Sequence, residues 1–155
     1  MQPSPAHAQR RLTALPPSPT PPAPAHTPVF VYGSLLPGLH NARLLDGSAL
    51  QGYHVTAPEY DMYALGSYPC VCSGGGTAIH GAVYLVGDAT LALLDQLEGH
   101  PHWYCRELVA LPTRPDEPVW MYVMPRGEVG MRAELVASGD WRGFMRHRAR
   151  LHAPG

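Results

Sequence analysis

The sequence contains no lysine, and all eleven of its basic residues are arginine. A Schiff-base mechanism needs a lysine amine, so this absence excludes one class of covalent catalysis. Long apolar runs are also missing: stretches such as residues 82–86 fall far short of the roughly 20 residues that a membrane-spanning helix requires. We therefore expect a protein that does not cross a membrane.

An excess of charge of either sign is absent as well. The eleven basic residues face twelve acidic ones, which gives a formal net charge of −1. This balance offers no electrostatic reason to expect nucleic acid or an anionic membrane as a partner. A neutral or zwitterionic small molecule is the expected partner, and nothing in the pattern indicates an oligomeric state.

Cysteine is sparse, with Cys70, Cys72 and Cys105 forming an odd set that contains no C-x-x-C pair. Such a set does not build a disulfide framework, so we expect free thiols in a reducing cytoplasm. The N-terminus carries Arg10 and Arg11 but no continuous apolar stretch after them, which argues against a secretory signal.

Proline is distributed unevenly along the chain. Residues 1–28 hold nine of the eighteen prolines, a composition typical of extended polyproline conformation without a hydrophobic face. We expect residues 1–28 to be a disordered tail and residues 29–150 to form a single domain.

Local patterns predict several short strands and few helices. β-Branched and aromatic runs bounded by turn residues indicate strands, and apolar spacing after a capping residue, here Asp88, indicates a helix. The predicted strands are 29–32, 53–55, 60–65, 79–86, 103–111 and 119–124, with a helical turn at 41–45 and helices at 90–98 and 141–150. Loops are predicted around Gly66 and Pro69 and, at length, between the last two strands. Without regular strand–helix alternation, the expected class is α+β with a small closed or nearly closed sheet.

Glu98 stands out on the short predicted helix. At about 100° per residue it falls between Leu91 and Leu94, on the apolar side, while Asp95 lies on the opposite side. It is therefore either the frayed last residue of the helix or a buried acid, and the wheel alone does not decide between them. A buried position would raise its pKa toward neutrality, as a group that both accepts and donates a proton requires.

The turn Tyr32–Gly33–Ser34–Leu35 follows the first strand. Backbone amides that emerge from such a glycine turn can bind a carboxylate. The same pattern is common in turns with a purely structural role, so by itself it is a weak signal.

The segment that begins at the end of the short helix contains a possible metal-ligand pattern. Glu98, His100 and His102 form E-x-H-x-H, and a histidine pair with a carboxylate resembles a zinc ligand set. Because Pro101 separates the two histidines, we expect them to be surface residues, with no metal bound.

Four separated motifs together resemble the gamma-glutamylcyclotransferase superfamily. They are VFVYGSL at 29–35, YALGSYP at 63–69, HGAVY at 80–84 and LDQLE at 94–98, with Tyr104 and Arg106 following. Their order and spacing make the resemblance specific, and it extends over roughly residues 29–141.

The resemblance implies an α+β fold around a small mixed β-barrel and a cofactor-free cyclisation. In this family the turn matching Tyr32, Gly33, Ser34 and Leu35 holds the glutamyl end of the substrate, and a glutamate matching Glu98 moves the protons. The products are 5-oxoproline and a released amine or amino acid. By the same resemblance Tyr68 and Tyr104 line the cavity, although packing alone would also explain them.

A second hypothesis is a non-catalytic module that binds a small molecule in the same cavity. Some small bacterial members of the superfamily share the turn and the segment that matches residues 138–141, SGDW, yet lack the glutamate. Because the glutamate is present here, we favour the enzyme.

Overall fold

The computed structural model describes residues 26–151. They form eight strands and two α-helices, with short 3-10 turns at Ala42–Leu45 and Arg126–Glu128. In chain order the elements are β1 (Thr27–Val31), β2 (Ala49–Val55), β3 (Tyr60–Ala64), β4 (Pro69–Ser73), β5 (His80–Val86), α1 (Asp88–Glu98), β6 (Cys105–Leu111), β7 (Arg114–Val123), β8 (Glu134–Leu135) and α2 (Trp141–Leu151).

The larger sheet has five strands in the order β2-β5-β1-β7-β6. Strand β1 lies at its centre, antiparallel to β5 and parallel to β7. Both faces of β1 are buried: Val29 and Val31 pack in a cluster with Leu94 of α1, whereas Phe30 packs in a cluster with Trp141 of α2. A strand covered on both sides reads as a continuous apolar run, which explains why β1 is the clearest strand in the sequence.

The smaller sheet is antiparallel, with the strand order β4-β3-β8. Because these strands form a second sheet, the fold is not the single closed sheet that the sequence predicted. After β2 the chain turns at Thr56, whose hydroxyl donates to the carbonyl of Ala57, and at Pro58, which has no amide donor. Strand β3 therefore begins a new sheet. The two sheets meet through a hydrogen bond from the amide of Met124 to the carbonyl of Val71 (2.8 Å). The α+β class is confirmed, and the strands form two joined sheets instead of one closed barrel.

The N-terminal boundary differs slightly from the prediction. Strand β1 begins at Thr27, because Thr27 and Pro28 already align with Val86 and Leu85 of β5. The proposed tail otherwise lies outside the described residues, so its disorder stays a prediction.

Two loop predictions at prolines were wrong. The loop expected at Pro69 is strand β4, which tolerates the residue because it is the first of the strand. The long loop expected before Val119 belongs to β7, which pairs with β6 back to Arg114 and leaves only two residues between the strands. Pro115 and Pro118 fit there because β7 pairs with β1 only at Trp120 and Met121, which leaves one edge of the proline segment unpaired.

The helices match the prediction more closely. Gly87, in an extended conformation, holds the N-cap position of α1 that was expected for Asp88, and Asp88 opens the helix. Helix α2 covers the predicted terminal segment. No helix among residues 26–151 is long and apolar enough to span a membrane.

Candidate active site

One cavity collects all seven residues singled out in the sequence. It has a volume of about 710 Å³, within the roughly 300–1,000 Å³ typical of small-molecule sites. The turn at the end of β1, the end of α1 and the segment before β4 contribute most of its wall. The predicted lining residues are Tyr32, Gly33, Ser34, Leu35, Tyr68, Glu98 and Tyr104, and the others are Phe30, Val31, His40, Asn41, Ser67, Pro69, Leu97, Trp103, Tyr122 and Met145.

Glu98 is the last residue of α1. The helix ends there because Gly99 adopts a left-handed conformation (φ 68°), which favours glycine and turns the chain away. The carbonyl of Glu98 accepts a hydrogen bond from the amide of Tyr104 (3.2 Å), so the loop after the helix folds back beside the cavity. The backbone that carries this carboxylate is thus fixed on both sides.

The carboxylate of Glu98 has no partner among residues 26–151. The ion pairs there join other residues, and no group of this part of the chain donates a hydrogen bond to it. Burial alone raises the pKa of Glu98 from 4.5 to about 7. Glu98 is thus both the last residue of the helix and a partly buried acid, so each interpretation of the helix wheel describes part of the structure. The group is therefore available in both protonation states near neutral pH.

The Gly33–Leu35 turn lines the cavity and contains two backbone amides without a protein acceptor in the described part of the chain. Its own bonds run from the amide of Leu36 to the carbonyl of Gly33 (2.9 Å) and from the amide of Asn41 to the carbonyl of Ser34 (2.8 Å). Within the described residues, the amides of Ser34 and Leu35 have no protein acceptor. Consecutive free amides of this kind suit a carboxylate.

Gly33 is required by the close approach of another segment. A Cβ atom at this position would lie 2.7 Å from Cγ of Pro69, closer than real Cβ contacts come. The turn and the start of β4 therefore touch across the cavity wall. The side chain of Asn41 also secures the turn, since its Nδ2 donates to the hydroxyl of Ser34 (2.9 Å).

Three tyrosines around Glu98 use their hydroxyls for structure. Tyr32 donates to the carbonyl of Tyr122 (2.6 Å), and Tyr104 donates to the carbonyl of Pro69 (2.8 Å). Burial raises the pKa of Tyr32, Tyr104 and Tyr122. These phenols stay neutral, and their protons are already committed to protein acceptors.

Asp95, one helical turn before Glu98, has the opposite environment. Arg106 binds it with two hydrogen bonds (2.7 and 2.9 Å), and the hydroxyl of Tyr122 donates to it as well (2.6 Å). The bond from Arg106 is the main reason why the pKa of Asp95 is lowered. Arg106 also stacks over the ring of Trp120 at 5.1 Å. This network fastens the end of α1 to the sheet.

The zinc interpretation of E-x-H-x-H gains no support from the geometry. Among residues 26–151 no group of three histidine, cysteine or acidic side chains lies close enough to hold a metal ion. Nδ1 of His100 instead accepts a hydrogen bond from the amide of Arg106 (3.3 Å).

Comparison with known proteins agrees with this geometry. The family model described as "Gamma-glutamyl cyclotransferase, AIG2-like" matches residues 29–143, a range that contains all seven predicted site residues. The chain belongs to this family. It is accordingly an enzyme of the gamma-glutamylcyclotransferase type, and the family implies a small-molecule gamma-glutamyl substrate.

Relatives from this family match most of the described part of the chain. The "Gamma-glutamylcyclotransferase family protein YtfP" of Escherichia coli K12 is 39% identical over 113 residues, which is 73% of this chain and 94% of that protein. The solution structure of E. coli YtfP superimposes with a TM-score of 0.58 at 36% identity, covering 74% and 96% of the two chains. "Gamma-glutamylaminecyclotransferase B" of Danio rerio is 33% identical over 96 residues, 54% of this chain and 48% of that protein.

Sequence reasoning missed part of the cavity of this family member. Leu97 lies on α1, and its side chain is 42% exposed at the cavity, although the sequence analysis did not single it out. Asp95 was placed on the opposite, polar side of the helix and in fact anchors Arg106. His40, Trp103, Tyr122 and Met145 carried no local signal, because they reach the cavity from loops and elements distant in the chain.

Proposed function

We propose that this enzyme cyclises a gamma-glutamyl group to 5-oxoproline and releases an amine or amino acid, with Glu98 as the acid and base. The observation that carries the proposal is the unpaired, partly buried carboxyl of Glu98 in the same cavity as two residues whose backbone amides have no protein acceptor among residues 26–151. No other acidic side chain lines that cavity among the described residues.

The substrate supplies both reacting centres. Its α-amino nitrogen attacks the γ-carbonyl carbon, a carbon–nitrogen bond closes the five-membered ring, and the bond to the departing nitrogen breaks. The carboxylate of Glu98 takes a proton from the α-ammonium group, and the resulting acid gives a proton to the leaving nitrogen. A carboxyl pKa of about 7 suits both steps, because it lies closer to the pKa of an amine than an ordinary carboxyl does. The scheme requires no cofactor and no metal.

The turn holds the substrate in this proposal. The amides of Ser34 and Leu35 bind the α-carboxylate, while Tyr32 and Gly33 shape the floor beneath it. Fixing that end keeps the α-nitrogen near the γ-carbonyl, so catalysis proceeds largely by positioning. Tyr104 and Tyr68 act as walls, since the hydroxyl of Tyr104 already serves Pro69.

We also propose that the enzyme works in the cytoplasm. All three cysteines are free thiols, and Cys70 and Cys72 are buried in β4. Burial raises the pKa of the Cys70 thiol to about 12, so it stays protonated and unreactive. Packed thiols of this kind fit a reducing compartment.

The test is release of 5-oxoproline from a panel of gamma-glutamyl amino acids and gamma-glutamylamines. Wild-type protein should turn over at least one member, and Glu98→Gln should lower kcat by at least a hundredfold while the fold is kept. Glu128→Gln makes the same change at an exposed site and should behave as wild type. Absence of release from every member, together with binding of one of them, would favour the non-catalytic binding module.

A further inference from the structure

We infer that the leaving group is an amine with an apolar, preferably aromatic, body and no carboxylate of its own. The inference rests on the proposed function and narrows its substrate class. It follows from two independent features of the cavity, the charges on its wall and the side chains at its opening.

The wall has no arginine or lysine side chain, among the described residues, to pair with a second carboxylate. The glutamyl α-carboxylate occupies the amides of Ser34 and Leu35 in the proposed complex. No arginine lines the cavity among residues 26–151, and the sequence has no lysine. Arg106, near the helix end, is held by Asp95 with two hydrogen bonds. A leaving amino acid would bring a second carboxylate into a cavity whose acidic group is Glu98, and desolvating it without a partner is costly.

His40 is the lining side chain that can carry a positive charge. It is exposed, so a charge interaction at this position is screened by solvent and contributes little. His40 therefore does not replace the buried arginine that a second carboxylate would need.

Three large apolar side chains that line the cavity are exposed, beside the exposed polar residues His40 and Ser67. Trp103 is 53% exposed, Leu97 42% and Tyr68 38%, and all three line the cavity. Trp103 lies in the loop after α1, Leu97 on α1 and Tyr68 in the loop before β4. Three separate segments thus each expose a large apolar side chain at the same cavity. Exposed apolar groups gathered around a concavity mark a binding surface. Met145 of α2 adds a further apolar wall. A flat apolar body attached to the leaving nitrogen would cover these side chains.

Matched substrates test the two features separately. Gamma-glutamylphenethylamine and gamma-glutamylphenylalanine differ only by a carboxylate, and gamma-glutamylmethylamine lacks the aromatic body. We expect kcat/KM for the phenethylamine compound to exceed both others by at least tenfold. Equal or better turnover of the phenylalanine compound would overturn the charge argument. Equal turnover of the methylamine compound would overturn the argument from the opening.

Variants at the opening give the second readout. Trp103→Ala and Leu97→Ala should each lower kcat/KM for the phenethylamine compound about threefold to tenfold, mainly through KM, and leave the methylamine compound almost unchanged. Leu50→Ala is the matched control, because Leu50 is 44% exposed but lies on β2 away from the cavity. An equal loss in all three variants would contradict the inference.

A failure of the proposed function is distinguishable from a failure of this inference. If no substrate yields 5-oxoproline, the cyclotransferase mechanism fails. Calorimetric binding of the same three compounds to Glu98→Gln protein then decides the inference. Tighter binding of the phenethylamine compound than of the other two would support it, and equal or reversed affinities would refute it.

Discussion

Replacing Glu98 by glutamine should stabilise the protein at alkaline pH, and the size of the effect follows from the burial of the carboxyl. The pKa of Glu98 is about 7 in the folded chain and 4.5 when unperturbed. Each pKa unit corresponds to about 1.36 kcal/mol, so ionising Glu98 costs the fold about 3 kcal/mol. Glutamine keeps the shape of the side chain and carries no charge to desolvate.

The sign follows from proton binding. Between pH 4.5 and about 7 the unfolded chain has released the Glu98 proton while the folded chain still holds it, so the free energy of unfolding falls as pH rises. Above about pH 7 Glu98 is ionised in both the folded and the unfolded chain, so the free energy of unfolding falls no further on account of this group. The difference between Glu98→Gln and wild type should therefore grow by about 3 kcal/mol from pH 4 to pH 8.

Urea unfolding followed by tryptophan fluorescence measures this difference at each pH, because Trp141 is buried and reports on the fold. Comparing the variant with wild type cancels the titration of every other group. Glu128→Gln, at an exposed position, is the control and should track wild type across the range. A difference that stays constant between pH 4 and pH 8 would mean that Glu98 is solvated or paired, and it would remove the physical basis of its proposed role.

Three further changes probe the wall of the site. Gly33→Ala should destabilise the fold by about 1–3 kcal/mol and lower kcat/KM, because the new methyl group would contact Pro69. Thermal unfolding and activity assays measure both effects. The control is Gly127→Ala, because a methyl group there meets no atom within 4 Å. Asp95→Asn should cost about 1.5–3 kcal/mol in urea unfolding because Arg106 loses a charged partner, and Asp116→Asn, at an exposed position, should cost almost nothing. Tyr104→Phe should cost about 1–2 kcal/mol through the lost bond to Pro69 yet keep kcat within about threefold, and a hundredfold loss would identify a catalytic phenol instead.

The sequence was sufficient for the parts of the fold that depend on local chemistry. Strand β1 is apolar on both faces, and α1 stops at a glycine, so both elements were predicted at nearly their observed positions. The motif order then placed Glu98 and the Tyr32–Leu35 turn in one site, which agrees with the cavity that they share. Their roles in binding and catalysis stay predictions.

Pairing between distant strands explains what was missed. Pro115 and Pro118 favoured a loop prediction. A strand tolerates proline where the neighbouring strand does not pair with it, and β1 pairs with β7 only at Trp120 and Met121. The sequence of β7 does not reveal where its pairing with β1 stops. The Asp95 network depends on the register of β6 and β7, which sets Arg106 directly opposite Tyr122 so that both side chains reach the same helix. Neither fact follows from spacing along the chain.

The two carboxylates at the end of α1 show how one short helix provides both an anchor and an acid. Asp95 receives Arg106 and Tyr122, and its pKa is lowered, whereas Glu98 receives no partner from the described residues and its pKa is raised to about 7. An arginine near Glu98 would hold it ionised and weaken it as a base. Both hydrogen bonds of the Arg106 guanidinium go to Asp95, so this guanidinium does not neutralise the charge of Glu98, although Glu98 is only three residues after Asp95 on the same helix. Opposite environments for neighbouring acids are how proteins separate such roles, and here the charged pair fixes the helix that carries Glu98, the proposed acid and base.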